Sequence, residues 1–256
     1  MAAAKSIQTH TIHFSSQGQQ IPAYLAHPAA SSQCPIVVVI QEVFGVNDHI
    51  REVSDRLAHA GYIAIAPHIY HRQAPGFEVG YDAADLEQGR QYKNGTQAKE
   101  LLSDIQGAID YGQQHFEAAT AVGCIGFCFG GHVAYLAATL PAIQATASFY
   151  GAGIGQFTPG GGAPTLSRTG EIQGTIFAFF GMQDPLITTA EVDEIEAVLK
   201  QHQVDHRIYR YSEATHGFFC DRRNSYHPAA AADAWSRVQG LFQTKLATDS
   251  GAALGK

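Results

Sequence analysis

Short apolar runs set apart by longer stretches of helical spacing restrict this chain more than any other feature of its sequence. Ile36–Ile40, Tyr62–Pro67, Ala121–Phe127, Ala145–Tyr150, Thr175–Phe180 and His206–Tyr211 are each five to seven residues long and mostly apolar on both faces. That pattern suits strands buried on both sides of a parallel sheet. Asn47–Ala60, Thr96–Phe116, His132–Leu140, Ala190–Gln201 and Pro228–Leu246 carry apolar residues at helical intervals. Asn47 and Thr96 are candidate N-caps, and Gly61 is a candidate C-terminal stop. Strand then helix, repeated, predicts an α/β fold with a mostly parallel sheet covered on both faces. Upstream, Thr9–Phe14 and Ile21–Ala26 alternate about Ser15–Gln20 and predict an antiparallel hairpin at the sheet edge. The Gly-rich stretch 151–174 reads as a long loop within the alternation, so residues 1–256 are expected to form one domain, with a disordered tail at 248–256.

Composition narrows the classes of function. The 256 residues are 45% hydrophobic and 15% charged, enough for a packed core. The formal charge of −7 is a poor match to nucleic acid or to anionic membrane, both of which call for a basic footprint. No run reaches the ~18 apolar residues that span a bilayer. Four cysteines without paired spacing argue against a disulfide framework or a zinc ribbon. The expectation is a soluble cytoplasmic protein, monomeric or a small homo-oligomer.

The sharpest local signal is G-F-C-F-G-G at Gly126–Gly131, placed between an apolar strand and a helix. A tight strand-to-helix turn of this kind forces its central residue into a strained conformation and tolerates only small neighbours two residues away. It would lift Cys128 above the sheet at a helix N-terminus, where unpaired N–H groups favour a thiolate. A bare cysteine is more often a core residue, and that reading is kept for Cys34, Cys124 and Cys220. A thiol nucleophile needs a base and an orienter. In open α/β sheets, sites lie beyond the C-terminal ends of the strands. Asp184 follows Thr175–Phe180, and His216 follows His206–Tyr211. The order nucleophile, acid, base is that of an α/β-hydrolase. Asp-Pro is also a common turn signal, and the chain has 13 histidines, so the argument rests on the three residues jointly.

Taken together, the motifs resemble the dienelactone hydrolase family (carboxymethylenebutenolidase-like proteins) of the α/β-hydrolase fold. They are Q-E-V-F-G-V-N-D-H-I-R-E-V-S-D-R-L-A at Gln41–Ala58, A-P-H-I-Y-H-R-Q-A-P-G at Ala66–Gly76, the Cys128 turn, G-M-Q-D at Gly181–Asp184 and E-A-T-H-G-F at Glu213–Phe218. The resemblance implies an ester or lactone hydrolase using Cys128, His216 and Asp184, without cofactor or metal. It implies that Glu42 contacts the resting thiol, that the Val43 and Phe129 amides form the oxyanion hole, and that Arg72 binds a substrate carboxylate. The family's founding enzymes carry a further arginine four residues past the histidine, where this chain has Cys220; Arg222 and Arg223 follow. His68 and His71 lack a metal-binding pattern and are expected to flank the cleft. Two rival readings are a non-catalytic α/β-hydrolase scaffold acting as a binding protein and a thiol redox protein pairing Cys128 with Cys124. The first fits poorly with an intact triad order, and the second lacks C-x-x-C spacing.

Overall fold

A computed structural model describes residues 6–30, 34–116 and 121–247. The tail expected to be disordered lies outside the described residues. The core is an eight-stranded sheet of order β1-β2-β4-β3-β5-β6-β7-β8. The strands are β1 (Ile7–Ser16), β2 (Gln19–Pro28), β3 (Ile36–Ile40), β4 (Ile63–Pro67), β5 (Val122–Phe127), β6 (Ile143–Phe149), β7 (Thr175–Gly181) and β8 (His206–Tyr211). β1 and β2 form the edge hairpin, and β2 joins β4 antiparallel. All pairings from β4 through β8 are parallel. The central strands β3, β4 and β5 are buried along their whole length, as their unbroken apolar runs require.

Among the described residues there are six α-helices: α1 (Asp48–His59), α2 (Ala83–Asn94), α3 (Ala98–His115), α4 (Phe129–Ala137), α5 (Thr189–Gln201) and α6 (Pro228–Lys245). One core cluster joins the sheet to α1, α5 and α6 through residues such as Leu57, Ile195 and Val238. The other joins it to α3, part of α4 and the hairpin, through Ile105, Val133 and Phe14. Each fully buried aliphatic side chain of this kind contributes roughly 1.5–3 kcal/mol of transfer free energy.

Asn47 caps α1 as expected, its side chain accepting from the Ile50 N–H. Thr96 does not cap α3: the cap position falls on Gln97, and the Thr96 hydroxyl donates back to the Lys93 carbonyl at 2.7 Å. The sequence reading also missed α2 and placed the start of α4 three residues late. Helix α2 buries only Gly89, so it lacks an apolar stripe. Its start is set by a capping box between Asp82 and Asp85. The stretch after β6 is not wholly loop, since Thr165–Glu171 forms a 3-10 helix. Among the described residues, no helix is long and apolar enough to cross a membrane.

Candidate active site

Cys128 sits between β5 and α4 with φ 56° and ψ −118°, a backbone strain of about 1–3 kcal/mol for a non-glycine residue. The surroundings hold it there. Its N–H donates to Phe149 O at 3.1 Å, and its carbonyl accepts from the Gly131 and His132 amides. A Cβ on Gly126 would lie 1.9 Å from Gly130 O, and one on Gly130 would lie 2.3 Å from Gln41 O. Both positions therefore exclude any side chain, which is the physical content of the G-F-C-F-G pattern. Cys128 is partly exposed, whereas Cys124 and Cys220 are fully buried. Burial alone pushes the Cys124 thiol well up and leaves it inert.

The turns after β7 and β8 bring the acid and the imidazole together. His216 Nδ1 lies 2.7 Å from Asp184 Oδ2, and both side chains are buried. The other Asp184 oxygen accepts from the Leu186 N–H at 2.8 Å, which fixes the carboxylate. The ring edge of Tyr150 packs against the imidazole at 5.2 Å between centroids. Burial by itself would lower the His216 pKa. The electrostatic influence of Cys128, followed by the hydrogen bond to Asp184, overrides it and lifts the pKa to about 10. His216 Nε2 is buried without a hydrogen bond of ordinary geometry among the described residues, and Cys128 raises the pKa both through charge and as a side-chain partner.

Glu42 follows β3 and is 1% exposed. Its carboxylate does not take the thiol as its partner. Oε1 accepts from Arg223 Nη1 at 2.9 Å, and Oε2 is buried without a partner. Burial raises the Glu42 pKa against the opposing charges of Arg223 and His216. Arg223 reaches this position because Gly217 has no side chain; a Cβ there would stand 2.4 Å from Nη1. Val43 and Phe129 line the same cavity as Cys128. Neither amide N–H has a hydrogen-bond acceptor among the described residues.

The cavity at Cys128 measures about 270 Å³. Cys128, His216 and Phe129 line it, together with apolar side chains that include Phe44, Phe157 and Leu186. Three cations line it, Arg90, Lys93 and Arg223, and no carboxylate does. Lys93 Nζ stands 5.1 Å above the Phe157 ring.

Arg72 is not part of this cavity. Its guanidinium pairs with Asp104 of α3 at 2.6 Å and donates to Ser16 O at 3.1 Å. Asp104 is 1% exposed, so Arg72 neutralises a buried carboxylate instead of facing a substrate. His68 and His71 do not line the cavity either. Of the aromatics near strand ends, Phe44 and Phe129 reach it, while Phe127, Tyr150 and Phe218 pack in the core. Sequence reasoning missed Arg90 and Lys93 with helix α2; the Asp82–Asp85 capping signal was the available clue.

A strained cysteine at a strand-to-helix turn, a buried Asp–His pair at later strand ends and this sheet order together define an α/β-hydrolase fold. The chain belongs to the dienelactone hydrolase family, whose model matches residues 21–246. It is 52% identical over 241 residues to the "Putative carboxymethylenebutenolidase" of Synechocystis, covering 94% of this chain and 98% of that one. It is 30% identical over 239 residues to a Bradyrhizobium protein named "Probable 2-oxo-3-(5-oxofuran-2-ylidene)propanoate lactonase", covering 92% and 94%. Among solved structures, the "Putative Dienelactone Hydrolase" of Klebsiella pneumoniae superposes with a TM-score of 0.84 at 30% identity, covering 93% of this chain and 98% of that chain.

Proposed function

We propose that this hydrolase cleaves a lactone or carboxylic ester bearing an anionic group, by acyl transfer to Cys128. The observation that carries the reading is the convergence of a partly exposed cysteine in a strained turn and an Asp184-bound imidazole on one cavity. The raised His216 pKa favours an imidazolium beside the Cys128 sulfur, the arrangement that stabilises a thiolate nucleophile as it forms. The thiolate attacks the carbonyl carbon, and the Phe129 and Val43 amides take the oxygen as it becomes negative. Collapse of the tetrahedral intermediate breaks the bond to the alkoxy or enol oxygen, and His216 supplies its proton. His216 then takes a proton from water, which attacks the thioester and releases the carboxylate product. Asp184 holds the imidazole in place and favours its charged form.

A thiolate is a good leaving group as well as a good nucleophile. Lactones with an enol leaving group, and aryl esters, partition forward; unactivated alkyl esters and amides do not. The lactonase named for the Bradyrhizobium relative supports the lactone class. The anionic group is assigned to Arg90 and Lys93, which line the cavity without a carboxylate beside them there, whereas Arg223 is already paired with Glu42.

The test is turnover of 4-nitrophenyl acetate and of a carboxylated enol-lactone by Cys128→Ala and His216→Ala. Each variant should lose at least about a thousandfold in kcat/KM. Wild-type turnover by either variant would refute the assignment.

A further inference from the structure

We propose that a second cleft, separate from the cavity at Cys128, binds a small planar carboxylate. It measures about 330 Å³, and none of its lining residues lines the Cys128 cavity. His49, Val53 and Arg56 of α1 form one side, Trp235 of α6 another, and Phe219 its inner wall.

Two groups in this wall lack hydrogen-bond partners among the described residues. His49 is 3% exposed, and its Nε2 is buried with no hydrogen bond among the described residues. The ring is held by edge-on packing against Phe127 at 5.6 Å and Phe219 at 6.2 Å between centroids. Burial keeps it neutral, with a pKa pushed down to about 3, so it carries a single N–H. Arg56 stacks with its guanidinium carbon 4.1 Å from the Trp235 ring centroid and 5.3 Å from that of Phe219. It makes no ion pair within 4.0 Å and no hydrogen bond through its side chain among the described residues. A guanidinium lying over a ring keeps its in-plane N–H groups free for an acceptor.

Both unpaired groups can donate, and a carboxylate accepts from both at once. Of the acids at the rim, Glu52 is engaged by Arg222, and Asp221 is an exposed side chain whose charge acts on Arg56 without an ion pair within 4.0 Å. The flat apolar body of the ligand would lie against Trp235 and Phe219. A buried unpaired imidazole nitrogen and an unpaired stacked guanidinium in one cleft are better explained by a ligand than by packing, which needs neither.

Trp235 is the only tryptophan of the chain, so its fluorescence reports on this cleft. The experiment titrates the full chain with benzoate, and in parallel with benzamide as the neutral isostere. Benzoate should give a saturable change, and benzamide should bind at least about tenfold more weakly. Arg56→Gln and His49→Phe should each weaken benzoate by about tenfold. Should one of these fail to fold, the other carries the same expectation, and Arg56→Lys, which loses the planar fork, adds a third. An Arg90→Ala/Lys93→Ala variant, altered only at the Cys128 cavity, should keep the wild-type midpoint. The proposal is overturned by the absence of saturation, by equal binding of benzamide, by unchanged midpoints in the cleft variants, or by loss of the signal in the Arg90/Lys93 variant.

Discussion

Arg223 Nη1 donates to Glu42 Oε1 across 2.9 Å, joining residues 181 positions apart in the chain. The carboxylate is 1% exposed, and the arginine side chain is 19% exposed, opening on the Cys128 cavity. Removing one partner of a buried pair costs about 3–5 kcal/mol, because the other charge is left without compensation. Arg223→Met should therefore destabilise the chain by about 3 kcal/mol, and adding Glu42→Gln should restore part of that loss. Urea unfolding of the two variants decides it. A single variant as stable as the parent would mean the pair contributes nothing.

The His216 pKa gives stability a defined pH dependence. It is raised from 6.5 to about 10 in the folded chain, so protonation favours the native state. The contribution is complete below about pH 6.5, declines through the window up to about pH 10, and is gone above it. The sulfur of Cys128 is the largest of the raising influences, so Cys128→Ser should flatten this decline. Thermal unfolding from pH 6 to pH 10 measures both curves; parallel curves would remove Cys128 as the cause.

The strained turn depends on missing side chains. In Gly126→Ala the new Cβ would lie 1.9 Å from a backbone oxygen, which cannot rotate away. The variant should lose at least about 3 kcal/mol of stability, or nearly all esterase activity if the turn rearranges instead. Unfolding and 4-nitrophenyl acetate turnover together test this, and a variant unchanged in both would contradict the packing described.

The substrate-binding role expected of Arg72 should fall to other cations. Arg72→Ala strands buried Asp104 and should lower stability while leaving the KM ratio of anionic to neutral esters unchanged. Arg90→Ala and Lys93→Ala should each raise KM for an anionic ester about three- to tenfold relative to a neutral one. The reverse pattern would restore Arg72 to the substrate.

What could be read from the sequence was whatever the backbone must obey. Strands β3 to β7 announce themselves because a parallel sheet buries both faces of each, whereas β8, the edge strand expected to be apolar on both faces, has no buried residue. The Cys128 turn is legible because its geometry leaves no room for a Cβ at Gly126 or Gly130. Asp184 and His216 follow from strand ends, where the fold has to open. Helix α2 escaped because it buries one glycine and carries no apolar stripe.

The directions of the long charged side chains were decided only by the tertiary structure. Arg72 turned to Asp104, 32 residues away, and Arg223 passed beside Gly217 to reach Glu42. Arg90 and Lys93 came to the cavity with a helix the sequence did not reveal. An arginine's stem has several rotatable bonds, so its endpoint is chosen by whichever carboxylate or ring the distant chain brings near. The sequence by itself determined the sheet and the place of the thiol; which cations stand around that thiol was settled by contacts made only once the chain had folded.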